Sequence, residues 1–208
     1  MEILTFSLGM FETNCYYIRD EESGESVIID PGMNADAALS KYLKYDKVAA
    51  ILLTHAHLDH IFGLEAIRKK TGAPVYLHEA EREWLQDPAL NGSARWPQLG
   101  VVKLNTPAEY LLKGGEKLSF LQTTFQVLAT PGHSPGGVSY VVEEHCFAGD
   151  TLFQRSIGRT DLPGGDHKQL LKSIKGKLLM LPDDTPVYPG HGPRTTIGQE
   201  KRSNPFIE

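Results

Sequence analysis

The feature that most constrains the fold is a cluster of polar side chains directly after an apolar run. The run Val48 to Thr54 is typical of a strand that is buried on both faces, as in a parallel sheet. The next six residues, 55–60, read His-Ala-His-Leu-Asp-His. Alternate side chains of an extended segment point to the same side, so His55 and His57 share one face. As the chain turns into the next helix, Asp59 and His60 can reach a neighbouring point, so one segment can serve two metal ions.

Three more residues of the same kind stand at the ends of predicted strands. His133 follows Thr-Pro-Gly, Asp150 follows a glycine, and His191 lies in Pro-Gly-His-Gly. Strand ends joined by short glycine-rich turns are places where rigid scaffolds present functional groups. A single histidine there is more often an ordinary hydrogen-bonding residue, but the whole set predicts a metal site. Imidazole and carboxylate ligands without thiolate suit Zn, Fe or Mn.

The hydrophobic pattern predicts two similar halves, each with strands followed by helices. The predicted strands of the first half are 3–8, 14–20, 25–30, 48–54 and 74–78, and its helices are 35–44, 61–70 and 79–86. The predicted strands of the second half are 117–121, 124–130, 138–143, 145–148 and 187–188, and its helices are 168–179 and 197–203. Loops are predicted at 87–107 and 155–166. Because no linker divides the halves, we expect residues 1–208 to form a single domain with two packed sheets and helices outside.

Charge and hydropathy exclude several classes of partner. The chain of 208 residues has a net charge of −5 with neutral histidines, so no basic field invites nucleic acid or an anionic membrane. Its longest strongly apolar run, Val48 to Leu53, is far shorter than the roughly 20 residues of a membrane span. The first residues do not read as a signal peptide. We therefore expect a cytoplasmic protein with reduced cysteines, and the sequence leaves the oligomeric state open.

In their order along the chain, these motifs resemble those of the metallo-β-lactamase superfamily. The matching segments are Val27 to Gly32, Thr54 to His60, Thr130 to Ser134, Gly149 to Thr151 and Pro189 to Gly192. The resemblance covers nearly the whole chain and implies an α/β fold, the four-layer αββα sandwich. It also implies two divalent metal ions, with Zn expected first and Fe or Mn as alternatives. The ligands it implies are His55, His57 and His133 for one ion, Asp59, His60 and His191 for the second, and Asp150 as a bridge.

Within that superfamily, the chain looks most like the compact bacterial members of the glyoxalase II-like group, the hydroxyacylglutathione hydrolases. The segment Gly149 to Asp166 carries this resemblance. Two-zinc β-lactamases commonly place Cys where Asp150 stands, so β-lactamase activity is not expected. RNA-processing members need a long inserted domain or a basic surface, and a chain of 208 residues with a net charge of −5 offers neither. Full-length glyoxalase II adds a C-terminal helical region that binds the glutathione carboxylates. Only 17 residues follow His191, so we expect this glutathione-binding helical domain to be absent.

The resemblance implies a metal-dependent hydrolase that cleaves small thioesters such as S-lactoylglutathione. Two metal ions would lower the pKa of a bridging water, and the resulting hydroxide would attack the thioester carbonyl. Asp150 and Asp59 are the predicted catalytic residues, because one bridges the ions and the other can orient the hydroxide. One alternative is a persulfide dioxygenase with a single iron ion on His55, His133 and Asp150. A second alternative is a lactonase that uses the same attack.

Three further residues are assigned to the surroundings of the site. Asp30 ends a strand expected beside the metal ions, and ligating imidazoles usually donate their second N–H to a carboxylate or carbonyl. It is therefore predicted to orient a ligand, with capping of the following Pro-Gly turn as the alternative. Arg159 and Asp161 are predicted to form an ion pair at the rim, with substrate contact by Arg159 as the alternative. Ordinary roles are expected for the remaining histidines, His78, His145 and His167.

Overall fold

The first sheet is built from six strands that lie side by side in chain order. A computed structural model describes residues 1–207. The strands are β1 (Glu2–Leu8), β2 (Thr13–Asp20), β3 (Glu25–Ile29), β4 (Lys47–Leu52), β5 (Val75–His78) and β6 (Tyr110–Leu112). The first three pair antiparallel, and β3 to β6 pair parallel. The parallel part places the ends of β3, β4 and β5 on one edge, where the first predicted ligands follow.

The second half of the chain contributes eight strands. These are β7 (Lys117–Phe120), β8 (Thr123–Ala129), β9 (Val138–Val142), β10 (His145–Gly149), β11 (Leu152–Phe153), β12 (Ser156–Ile157), β13 (Pro186–Pro189) and β14 (Thr195–Thr196). Six of them form a sheet in the order β14-β13-β10-β9-β8-β7, while β11 and β12 form a separate hairpin. The β10 and β13 strands pair parallel, so their ends also meet at one edge.

Five α-helices cover the outer faces of the two sheets. They are α1 (Ala35–Ala38), α2 (Leu58–Ile61), α3 (Leu64–Thr71), α4 (His167–Gly176) and α5 (Ile197–Ser203). Short 3-10 turns occupy 79–81, 93–95, 97–99 and 178–180. The longest of the five helices has ten residues, and within residues 1–207 none combines the length and hydrophobicity of a membrane span.

Three apolar clusters separate the layers. In β3, Ile28 packs toward α3, whereas Val27 and Ile29 pack toward the second sheet. A third cluster joins the other face of the second sheet to α4 and α5, with Leu170 and Ile174 on the helical side. Since both faces of the central strands are covered, their sequences are continuously apolar rather than alternating. The arrangement is the predicted αββα sandwich, which is confirmed.

Most predicted elements lie within one or two residues of their observed bounds, but several helices were predicted too long. Helix 35–44 is α-helical only over Ala35–Ala38 and continues as turns. Helix 61–70 is divided into α2 and α3 at Gly63, where a Cβ would lie 2.2 Å from the carbonyl oxygen of Gly32. Helix 79–86 is a 3-10 turn followed by other turns. The short strands β6, β11, β12 and β14 were not predicted, because two or three residues carry no readable periodicity.

Candidate metal centre

The seven predicted ligands meet at the edge of the sandwich where strands of both sheets end. His55 and His57 lie in the extended segment after β4, and α2 immediately follows with Asp59 and His60. The remaining three come from the turns after β8, β10 and β13. Their ligand atoms form three overlapping groups, each with all atoms within 4.8 Å of one another: His55, His57 and His133; His55, His60 and Asp150; and Asp59, His60 and His191.

The first group consists of buried imidazoles without a carboxylate. His57 Nδ1 lies 2.9 Å from His133 Nε2, and the rings of His55 and His133 are 4.8 Å apart in an edge-to-face arrangement. None of the three residues is more than 4% exposed. Desolvation and the neighbouring imidazoles lower the pKa of His57 to about 3 and that of His55 well below its usual value. These two rings are therefore neutral at pH 7, with lone pairs available to a cation.

The second group is defined as Asp59, His60 and His191, and it combines imidazoles with a carboxylate. Asp59 Oδ2 lies 3.2 Å from His191 Nε2 and 3.4 Å from His60 Nε2. Desolvation acts against the charge of both imidazoles. The neighbouring carboxylates outweigh it, raising the pKa of His191 to about 10 and that of His60 well above its usual value. In the metal-free protein these two rings carry protons at pH 7.

Asp150 stands between the two groups. Its Oδ1 lies 3.4 Å from His60 Nε2, and its Oδ2 lies 3.5 Å from both His133 Nε2 and His191 Nε2. A Cβ at Gly190 would lie 2.0 Å from Asp150 Oδ1, so the turn after β13 can approach this closely only with glycine. One carboxylate therefore faces ligands of both groups.

The cluster contains buried polar atoms that no protein group satisfies. Within residues 1–207, these atoms include the Nε2 atoms of His55, His57 and His60 and Oδ1 of Asp150. Buried polar atoms nearly always have a hydrogen-bond partner, so such a concentration requires an explanation. Bound cations would accept lone pairs from these nitrogen and oxygen atoms, and imidazole and carboxylate suit several divalent ions. The residues fit a dinuclear metal site, and their chemistry leaves the identity of the metal open.

Asp30 contacts both the segment before the first ligand and a ligand of the second group. Its Oδ2 lies 2.9 Å from His60 Nδ1, and its carboxylate accepts hydrogen bonds from the backbone N–H and hydroxyl of Thr54 at 2.8 and 2.6 Å. The Thr54 hydroxyl lies 3.1 Å from His55 Nδ1. This position is the one that orientation of a ligand requires, and that role remains a prediction.

Backbone carbonyls hold two further imidazoles. His133 Nδ1 donates to the carbonyl of Arg159, and His191 Nδ1 donates to the carbonyl of Phe11, each at 2.8 Å. Such bonds fix the ring orientation and leave Nε2 directed at the centre. The Thr13 hydroxyl also donates to Asp59 Oδ2 at 2.8 Å. Sequence reasoning missed Phe11 and Thr13, which reach the site through the turn between β1 and β2.

A fully buried glutamate, also missed, joins the two segments that carry the first group. Glu81 accepts the N–H of Ala56, between His55 and His57, at 2.6 Å and the N–H of Gly136 at 2.8 Å. A Cβ at Gly136 would lie 2.8 Å from Glu81 Cγ, so the contact depends on glycine there. Burial raises the pKa of the Glu81 carboxyl. Its neighbours in sequence are also charged, and no pattern distinguished it from them.

An ion pair and an open cavity complete the site. Arg159 Nε and Nη2 donate to the two carboxylate oxygens of Asp161 at 2.7 Å each, an exposed pair that lowers the pKa of Asp161 to about 2. Contact of Arg159 with substrate remains the alternative to a purely structural role. A cavity of about 540 Å³ lies over the cluster, lined by candidate ligands together with apolar residues, Arg159 among the few polar ones.

Comparisons with known proteins agree with this geometry. A family model described as the metallo-beta-lactamase superfamily matches residues 8–191. A relative named Probable metallo-hydrolase YqgX, from Bacillus subtilis, is 43% identical, and the match covers 96% of this chain and 94% of the relative. Hydroxyacylglutathione hydrolase GloC from Haemophilus influenzae is 37% identical over 100% of this chain and 98% of its own.

Two solved structures are similar over almost the whole chain. The first is described as BLEG-1 B3 metallo-beta-lactamase and is 49% identical, with a TM-score of 0.94 and 99% of each chain covered. The second is TTHA1623 in a di-iron-bound form, 38% identical, with a TM-score of 0.83 and coverage of 98% of this chain and 99% of its own. These matches and the family model assign the fold, together with its ligand cluster, to one superfamily.

Proposed function

The chain belongs to the metallo-beta-lactamase superfamily and is a metal-dependent hydrolase, and from that premise we propose that it hydrolyses thioesters. The observation that carries the proposal is Asp150, placed between an imidazole group and a mixed imidazole and carboxylate group at the base of an open cavity. The relative named hydroxyacylglutathione hydrolase, matched over nearly its full length, supports S-lactoylglutathione as the reference substrate.

The residues of the cluster would have two roles, binding the cations and orienting the attacking water. His55, His57 and His133 would hold one cation, and Asp59, His60 and His191 would hold the other, with Asp150 shared. Two such cations supply Lewis acidity that polarises a carbonyl and lowers the pKa of water. Asp59, held at one oxygen by Thr13, can accept a hydrogen bond from the attacking water and orient it. The departing thiolate needs no proton from the protein, since thiols of this type have a pKa of about 8.5.

The direct test measures metal content and thiol release on the same preparation. We expect two ions per chain and hydrolysis of S-lactoylglutathione that chelator treatment abolishes and metal addition restores. Zn is the metal we propose, and the di-iron form of the TTHA1623 structure supports iron as the alternative. A protein loaded with two ions per chain that cleaves no thioester would refute the proposal. We also propose that it acts in the cytoplasm on small molecules, without nucleic acid or membrane partners.

β-Lactam hydrolysis is a second candidate, favoured by one specific comparison. The structure described as a B3 metallo-beta-lactamase is 49% identical to this chain over 99% of its length. The expectation that Asp150 argues against β-lactam substrates is weakened by that similarity. Attack of water on a β-lactam carbonyl and on a thioester carbonyl needs the same polarised carbonyl, but the nitrogen expelled from a β-lactam must also receive a proton, which a departing thiolate does not need. A chromogenic cephalosporin assayed beside S-lactoylglutathione ranks the two activities by kcat/KM.

The dioxygenase and lactonase alternatives give different readouts in the same preparation. One iron ion per chain and O₂ uptake with glutathione persulfide would support the dioxygenase. Ring opening of a lactone at a higher kcat/KM than any thioester would support the lactonase. Either result would replace thioester hydrolysis as the main activity while leaving the ligand cluster as described.

A further inference from the structure

We propose that the preferred substrates carry a bulky apolar group, an aryl or branched alkyl arm, next to the scissile carbonyl. The inference rests on the proposed function and adds the chemical class of the substrate. It is carried by the lining of the cavity above the ligand cluster. That lining contains seven apolar side chains: Phe11, Leu58, Trp96, Phe153, Leu162, Pro163 and Pro193.

One wall of the cavity is formed by aromatic and aliphatic side chains packed on each other. The rings of Phe11 and Trp96 meet edge to face, with centroids 5.9 Å apart. A Cβ built at Gly92 would lie 3.7 Å from Trp96 and 3.8 Å from Leu58, so both side chains flank that glycine. Both aromatic residues remain partly exposed, on the side that faces the cavity. The wall is thus an apolar surface beside candidate ligands His57 and Asp59.

This wall is built before any substrate arrives. Asn91, fully buried, donates from Nδ2 to the carbonyls of Trp84 and Val102 at 2.9 Å each, which closes the long segment that carries Trp96. The Leu58 N–H donates to the Asn91 carbonyl at 2.9 Å, so the segment is also tied to α2. A pre-formed apolar surface binds an apolar group without the entropic cost of ordering a loop.

A second part of the apolar lining is anchored to the C-terminal helix. Phe153 lies on the hairpin of β11 and β12, with its ring centroid 6.3 Å from that of His191. The turn of this hairpin is held by Glu200 of α5, which accepts the N–H of Arg155 at 2.8 Å. Leu162 and Pro163 extend the wall toward the rim. An arm that contacts both parts of the lining would therefore lie beside candidate ligands of both groups.

Charge in the cavity favours the same class of substrate. Among its lining residues, Arg159 is the one charged side chain outside the ligand cluster, and Asp161 occupies two of its donor nitrogens. A substrate with several carboxylates finds no free cationic fork inside the cavity. An apolar arm gains about fourfold in affinity for each methylene that it removes from water. Attack of water on a carbonyl does not itself require apolar walls, so these walls indicate selection of the substrate.

The first experiment measures binding without turnover. Inert thioethers, in which a methylene replaces the scissile carbonyl, are titrated by calorimetry into the metal-loaded and metal-free protein. We expect the affinity to rise at least tenfold from a methyl to a phenyl arm in both forms. Trp96→Ala and Phe153→Ala should remove most of that gain. Tyr45→Ala, a change at an exposed aromatic residue outside the cavity, should leave it unchanged.

The second experiment separates this inference from the proposed function. Acetyl, isobutyryl and phenylacetyl thioesters of one neutral thiol are compared with S-lactoylglutathione by kcat/KM. We expect phenylacetyl to exceed acetyl at least tenfold in the wild type, and the ratio to fall toward one in Trp96→Ala. Cleavage of all thioesters with a flat ratio would overturn the apolar arm and keep the proposed function. Binding of phenyl thioethers without cleavage of any thioester would support the apolar site and overturn the proposed function.

Discussion

The two ligand groups of the metal centre are only a few ångström apart, yet the protein prepares them in different ways. The histidines of the first group lie in two segments joined by Glu81, which accepts the backbone N–H groups of Ala56 and Gly136. The second group is surrounded by carboxylates and by side chains that contact the ligands directly, as Asp30 and Thr13 do.

The difference appears in their protonation. Burial keeps His55 and His57 neutral, whereas neighbouring carboxylates raise the pKa of His60 and His191. In the metal-free protein, protons on these two imidazoles balance the carboxylates of the second group. The first group therefore offers a cation ready lone pairs, and the second exchanges protons for a cation. Asp150 faces both groups. The difference between the groups can therefore be tested by removing Asp150, by changing the pH and by removing the outer contacts of one group at a time.

Removing Asp150 should have the largest effect, because its carboxylate faces ligands of both groups and its loss weakens both metal sites. In Asp150→Ala we expect the affinity for both ions to fall by more than the roughly 10- to 100-fold typical of losing an outer partner, and hydrolysis to be lost. Metal content after dialysis and the rate of thiol release measure the effect. Asp184→Ala, which removes an exposed carboxylate outside both the ligand cluster and the cavity lining, is the control. Retention of two ions in Asp150→Ala would show that the groups are independent.

Changing pH should affect the second group and leave the first almost unchanged. Metal binding must displace protons from His60 and His191, so these imidazoles release about two protons at pH 7, and their release alone raises the affinity about 100-fold per pH unit. His55 and His57 release none, since their pKa values lie far below 7. Calorimetry in buffers of different ionisation enthalpy counts the protons for each binding step. Equal proton release in both steps would contradict the comparison.

Replacing Glu81 should weaken the first group selectively. Glu81→Gln places an amide N–H₂ against backbone donors, which separates the two segments, and we expect one ion to bind roughly 10- to 100-fold more weakly while the other is retained. Gly136→Ala should reproduce this by displacing the Glu81 side chain. Metal stoichiometry and the spectrum of a cobalt-substituted protein distinguish loss of one ion from loss of both.

A matched control for that experiment is the other fully buried glutamate. Glu200 is likewise 0% exposed and accepts hydrogen bonds from Arg155, Thr195 and Asn204, away from the ligand cluster. Glu200→Gln should lower the melting temperature by a comparable amount and leave both metal affinities unchanged. If both variants lose the same ion to the same degree, Glu81 acts on general stability and not on the first group.

The sequence predicted which side chains cluster, because they lie in local patterns, and it missed contacts made across long distances in the chain. His55 to His60 occupy one segment, and strand ends in a sandwich converge on one edge. Glu81 acts on backbone N–H groups 25 and 55 residues away, contacts that no side-chain pattern records. One helix boundary was misplaced for a related reason, since the N–H of Gly63 donates to the carbonyl of Pro31, a tertiary contact, at the point where α2 and α3 are separated.

Removing the Thr13 hydroxyl should have the smallest effect and act on the second group alone. The hydroxyl donates to Asp59 Oδ2 at 2.8 Å, and a hydrogen bond to a charged group contributes about 1.5–3 kcal/mol. In Thr13→Val the volume is kept, so we expect the second ion to bind about tenfold more weakly and the first to bind as before. Thr5→Val, in the exposed part of β1, is the control. If the first ion is weakened as well, the start of β2 supports the whole centre, and the two groups are not separately held.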